Sequence, residues 1–175
     1  ETGPWELAVG KQYLPFGVYF SNFVSGPLLE FGETQVREGA VLAYGPSDDL
    51  DLSLFTYRGR ARSTDNNAGR WDWGLATEFW FNQAWSAGLS YQSDLADADS
   101  RLLEDDGDRY ERRVSGLSAY ILRAGEQFEL TLEGLVATGS FQELDNDRDR
   151  PRAWNAELVY VGYSSFDIAL RFEGS

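Results

Sequence analysis

Carboxylates are the chemically capable side chains of this sequence. Aspartate and glutamate number 29 against 15 lysine and arginine, the formal charge is −14, and there is no histidine and no cysteine. The lack of histidine removes the commonest general base and the commonest transition-metal ligand together, and a Ser-His-Asp triad cannot be assembled. The lack of cysteine rules out disulfides and thiolate metal sites. No G-x-S-x-G elbow, no P-loop and no twelve-residue calcium loop with its terminal glutamate occurs. Paired carboxylates are so frequent that pairing alone carries no argument for glycoside hydrolysis. The chain therefore reads as a non-enzyme without a resident metal or cofactor. A phosphate binder needs a basic stripe, and this chain has the opposite balance, so nucleic acid is excluded as a partner.

Where the acids stand is set by a period-two pattern that recurs along most of the chain. Leu50, Leu52 and Leu54 alternate with Asp49, Asp51 and Ser53. Trp71, Trp73, Leu75, Thr77, Phe79 and Phe81 alternate with Asp72, Gly74, Ala76, Glu78 and Trp80. The same rule separates Phe128, Leu130, Leu132 and Val136 from Glu129 and Glu133, Trp154 and Leu158 from Glu157, and Ile168, Leu170 and Phe172 from Asp167, Arg171 and Glu173. A helix would mix leucine and aspartate on every face, so these are strands. About nine are legible, each close to the nine to eleven residues that a tilted strand needs to cross a bilayer. Three are less clean: 5–14, 37–45 and 112–123.

The connections alternate too. Short ones fall at 45–49, 82–84, 124–126 and 163–165, long ones at 15–36, 58–70, 93–110 and 138–152. Tight turns at one end and long loops at the other are the arrangement of an outer-membrane barrel. Aromatic residues gather toward strand ends, as in Trp71 and Phe81 or Trp154 and Tyr160, where interfacial girdles would sit. No run of about 18 apolar residues occurs, which excludes a transmembrane helix but not a barrel, whose strands alternate. The expected fold is an all-β, antiparallel, up-and-down transmembrane β-barrel in one domain over residues 1–175. Neither end shows a leader or a closing element, so the chain reads as a segment of a larger, even-stranded barrel.

In such a barrel the Leu/Trp/Phe face meets lipid and the other face lines the lumen. The expected pore-lining residues are Asp49, Asp51, Asp72, Glu78, Glu129, Glu133, Glu157, Asp167, Arg171 and Glu173, an acidic wall that favours cations. The 15–36 connection carries Phe16, Tyr19, Phe20, Phe23, Leu28, Leu29 and Phe31, too many large apolar groups for an exposed loop. It is expected to fold into the barrel mouth, with Glu30 and Glu33 as constriction candidates and Arg37 as a counter-charge. The long loops hold Asp94, Asp97, Asp99, Glu104, Asp105, Asp106, Asp108, Asp145, Asp147 and Asp149. Such clusters can take Ca²⁺ or bridge lipopolysaccharide through divalent ions, although solvated surface loops account for them more simply.

One stretch is more than generic. Val9-Gly-Lys-Gln-Tyr-Leu-Pro-Phe-Gly17, then Ser21-Asn-Phe-Val-Ser-Gly-Pro-Leu28, then Leu29-Glu-Phe-Gly-Glu-Thr34 resembles the opening of the LbtU-type siderophore porins. Ser93-Asp-Leu-Ala-Asp97, Leu132-Glu-Gly-Leu-Val-Ala137 and Pro151-Arg-Ala-Trp-Asn-Ala-Glu157 follow in the order expected of that family. The resemblance implies a porin of the Gram-negative outer membrane, in contact with lipid and lipopolysaccharide, that takes up a siderophore or similar small solute. Self-association, common among porins, is left open by the sequence. Two other readings stand beside it: a structural or adhesive barrel working through its acidic loops, and a soluble β-barrel ligand carrier with the apolar face inside.

Overall fold

A computed structural model describes residues 3–59, 62–63, 71–98, 109–110, 113–142, 144, 149–162 and 166–175. Nine strands form one antiparallel sheet: β1 (Trp5–Val9), β4 (Gly39–Ser47), β5 (Leu50–Arg58), β7 (Trp71–Asn82), β8 (Trp85–Gln92), β10 (Gly116–Arg123), β11 (Phe128–Ala137), β12 (Arg152–Val161) and β13 (Asp167–Gly174). Each pairs with the next along the chain, an up-and-down meander. Two short ladders lie outside it: β2 (Gln12–Tyr13) with β3 (Gln35–Val36), and β6 (Arg62–Ser63) parallel to β9 (Arg109–Tyr110). Two short 3-10 turns, Leu28–Gly32 and Leu95–Asp97, complete the regular structure among the described residues. The sheet is open there: β1 and β13 are each paired on one side only.

The alternation in the sequence sets the two faces. In β11 the odd positions Thr131, Glu133, Leu135 and Ala137 are buried, while Phe128, Leu132 and Val136 are exposed. The same parity holds in β12, where Ala153, Asn155, Glu157 and Val159 are buried and Trp154, Leu158 and Tyr160 exposed. One face therefore carries leucine, isoleucine and aromatic side chains open to the outside. The other is covered by the chain's own connections toward the long-connection end, while Asp51 and Asp167 near the short turns stay exposed.

Two of the strands with blurred alternation are shorter than their pattern suggested. The first leaves the sheet at Gly10, whose φ of +126° is open to glycine and strained for other residues. The sixth starts at Gly116 rather than at residue 112. β4 carries a register shift between Tyr44 and Ser47 around Gly45 and Pro46, the bulge expected where proline cannot donate to a ladder.

The apolar core is small and lies on the covered face near the long connections. Phe16 and Leu29 of the 10–38 connection pack with Phe55 and Tyr57 of β5, Leu95, Val114, Leu135 of β11 and Phe141. This end of the covered face is filled by hydrocarbon. The end near the short turns is not.

Candidate functional site

The 10–38 connection turns onto the covered face and buries Phe16 and Leu29 there, while Phe20, Phe23 and Leu28 stay exposed, contrary to the expectation from its apolar content. Its neck is closed by the β2–β3 ladder and by the Leu14 amide donating to the Thr34 carbonyl at 3.0 Å. From Gly17 it crosses the strands one after another as a strap. The Gly17 amide donates to Ser90 Oγ of β8 at 3.1 Å. The amides of Val18 and Tyr19 donate to the two carboxylate oxygens of Glu133 on β11, at 2.7 and 3.0 Å. Ser21 Oγ and the Asn22 amide donate to Glu157 on β12, at 2.8 and 2.7 Å. The Leu28 amide donates to Glu173 on β13 at 2.8 Å. Arg171, also on β13, donates to Ser21 Oγ at 3.1 Å, to the Ser25 carbonyl at 2.7 Å and to Ser25 Oγ at 2.9 Å, and lies 4.7 Å from the Phe23 ring centre.

The chemistry explains the choice of residues. A segment crossing a sheet cannot use the strands' own backbone groups, which are spent in the ladders. Its N–H groups need acceptors that reach up from the sheet face, and an inward glutamate on each successive strand supplies two oxygens at the right height. Bonds to an ionised acceptor are roughly twice as strong as neutral ones.

This arrangement divides the ten residues expected to line one acidic wall. Glu133, Glu157, Glu173 and Arg171 hold the strap. Asp72 is 2% exposed and held by Arg113 at 2.9 Å and by Ser93 Oγ at 3.1 Å, so it is no open wall residue. Asp49 lies in the β4–β5 turn rather than on a strand, with its carbonyl accepting from the Trp80 amide. Asp51, Glu78, Glu129 and Asp167 remain on the covered face toward the short turns. There a cavity of about 300 Å³ opens beneath the strap, lined by Pro15, Gly17, Asp51, Glu78, Ser90 and Tyr120 among others. Asp51 and Glu78 are direct cross-strand partners, a pairing of like charges that costs stability in a merely structural sheet.

Of the constriction candidates, Glu30 and Arg37 are exposed and Glu33 is half-buried; no ion pair joins Arg37 to either acid. Glu33 is held above the ordinary carboxylate range by desolvation and then by the nearby charge of Glu30. The Tyr19 phenol is pushed well above its ordinary value, first by burial, then by Glu133 and Glu33.

Of the acidic loop residues, Asp94 and Asp97 come together with Asp72, one oxygen from each lying within 4.8 Å of the others. Three hard oxygen donors suit Ca²⁺, but the Arg113 guanidinium already sits against Asp72 and supplies positive charge there. Asp99, Glu104, Asp105, Asp106, Asp108, Asp145 and Asp147 lie outside the described residues.

Sequence reasoning missed Ser90, Ser21 and Asn155 as parts of the site. Their signal was present only in combination: inward polar residues on consecutive strands, facing a connection rich in glycine, serine and aromatic rings.

No family model matches the chain. It is similar to a UPF0422 protein of Coxiella burnetii (strain RSA 493 / Nine Mile phase I), with 26% identity over 171 residues. The match covers 90% of this chain and 37% of that protein, so the chain spans little more than a third of the relative's length.

Proposed function

We propose that the chain forms part of the wall of a bacterial outer-membrane β-barrel, a porin-like channel for small solutes whose lumen is narrowed at mid-height by the strap. The observation that carries this reading is the direction of the two faces. Leu7, Leu42, Leu54, Leu75, Leu89 and Leu170 are exposed on one side, while Glu133, Asn155 and Glu157 are buried on the other. In water this inverts what a folded sheet gains from burial, since each such side chain forgoes about 1.5–3 kcal/mol. In a bilayer the apolar side faces its own kind.

Aromatic rings support the same reading, because they fall in two rows across the outer face. Near the short turns stand Trp5 stacked on Tyr44 at 4.1 Å, Phe79 against Phe81 at 5.1 Å, and Phe128 against Tyr160 at 5.2 Å. Near the long connections stand Trp71, Trp73 against Tyr91 at 5.2 Å, Trp154 and Phe172. Leucine and isoleucine occupy the band between, the distribution of interfacial girdles around a hydrocarbon layer.

The Coxiella relative is much longer than the matched region, which leaves room for the strands that would close the sheet. The acidic cavity lined by Asp51 and Glu78 favours cationic over anionic solutes; iron chelates of the siderophore type follow from the porin resemblance. Lipid and lipopolysaccharide are the surrounding partners, and the protein works as a conduit, not a catalyst.

Size-exclusion of the purified protein with and without detergent, with circular dichroism, tests the membrane assignment. A β-rich species discrete only in detergent supports it, and planar-bilayer conductance then tests passage. A discrete folded monomer in plain buffer overturns the membrane reading. A second reading, a plugged structural or adhesive barrel, is favoured by the apolar filling around Phe16, Leu29 and Phe55, and it predicts no conductance.

A further inference from the structure

We infer that the strap from Gly17 to Leu28 is a displaceable plug, which lifts from β11, β12 and β13 while the sheet stays paired. The inference deepens the channel reading and rests on it for its consequence, a lumen that widens when the segment leaves.

Four observations point the same way. The first is how the strap is held: its amides go to side-chain oxygens of Glu133, Glu157 and Glu173 rather than into a ladder. Water can replace each of those bonds one at a time. The second is what seating buries without compensation. Asn155 is 2% exposed, stands in register between Glu133 and Glu173, and among the described residues neither its amide oxygen nor its amide nitrogen has a hydrogen-bond partner; the Tyr19 hydroxyl is buried and likewise unpartnered among them. Such groups lose water on seating and gain nothing in return, a penalty that lifting removes.

The third is backbone strain at the same residue. Tyr19 has φ of +51°, the one non-glycine with positive φ among the described residues, and sparsely populated conformations of this kind mark switch segments. The fourth is how little apolar contact would be lost. Phe20, Phe23, Val24 and Leu28 are already exposed with the strap in place, so that among its large side chains the Tyr19 ring is the one packed against the core, while Phe16 and Leu29 just beyond its two ends are fully buried. The flanks are thus anchored in the core while the middle is held mainly by polar bonds and the Tyr19 ring, with Gly17 (φ +76°) and Gly26 as natural pivots.

Hydrogen exchange read by mass spectrometry, on the full protein in detergent micelles, tests this. Peptides covering 17–28 are expected to exchange at least 100-fold faster than those of β11 and β12, yet slower than an unstructured chain. Asn155→Leu and Tyr19→Phe each remove an unpartnered buried group and are expected to slow strap exchange about tenfold, whereas Glu157→Gln is expected to speed it about tenfold. Should Asn155→Leu fail to fold, Tyr19→Phe decides alone. Strap exchange at the rate of the strands, or exchange as fast as free peptide in the wild type, or no response to the stabilising substitutions, would each overturn the inference. Because exchange is read without reference to conduction, a protein that conducts with a fixed strap defeats the plug alone. One with a mobile strap and no conductance defeats the channel reading instead.

Discussion

Replacing Glu133 with glutamine isolates what a single strand-borne carboxylate contributes to the seated strap. Glu133 is 4% exposed and accepts from Val18 and Tyr19 at 2.7 and 3.0 Å, with Ser118 Oγ at a longer 3.4 Å. A hydrogen bond to an ionised group contributes about 1.5–3 kcal/mol, so the two short bonds are worth roughly 3–6 kcal/mol before offsets. Burying a carboxylate with no cation against it returns part of that. Glutamine keeps one acceptor oxygen and turns an NH₂ group toward the second amide. The expected loss is therefore about 2 kcal/mol, rising to about 3–4 kcal/mol for Glu133→Ala, which leaves two amides without acceptors. The assay is reversible urea unfolding in detergent micelles. Its control is Glu129→Gln, on the same strand and face but without a hydrogen bond or ion pair among the described residues, expected within about 0.5 kcal/mol of wild type. If the two variants differ by less than about 0.5 kcal/mol, the strap's bonds contribute nothing net and the reasoning fails.

Leu89→Arg, in the leucine band of the outer face, is expected to cost about 2–4 kcal/mol in lipid; a cost near zero measured in liposomes would place that face in water. Arg113→Gln removes a cation partner of Asp72, whose side chain is 3% exposed. A loss of about 2 kcal/mol is expected, below the usual figure for a buried pair because Arg113 is partly solvated; the double variant Asp72→Asn/Arg113→Gln should recover part of it, as unfolding midpoints will show. Tyr19 is neutral in both folded and unfolded chains below its ordinary value of 10, and above that only the unfolded chain ionises. Stability should therefore fall from pH 10 upward and Tyr19→Phe should abolish that part of the slope, measured as unfolding free energy against pH. Glu33 holds its proton above the ordinary 4.5, so its contribution is full below that pH and is lost as pH rises through the raised value. Glu33→Gln should flatten the profile over that window.

Much of the architecture was legible in the residues because a strand exposes its side chains alternately. Phe128, Leu132 and Val136 against Glu129 and Glu133 dictate which face is which as soon as the segment is extended, and the spacing of turn residues dictates the meander. The inward course of the 10–38 connection was legible as well, since Phe16 and Leu29 cannot stay in water at low cost. What each inward acid does was not legible. Glu129 and Glu133 share a strand, a face and a chemistry, and only the path of a segment more than a hundred residues away in sequence makes one an anchor and leaves the other clear of the strap. Asp72 was read as wall for the same reason, since nothing local announces that Arg113 and Ser93 close over it. The sequence alone determined the parity of the strands, the order of the sheet and the burial of the strap's two ends, because these follow from local periodicity and hydrophobicity. Tertiary structure alone decided which carboxylates grip backbone amides, which stand opposite one another as like charges, and why Asn155 is buried without a partner. Those are properties of long-range register, which no local pattern encodes.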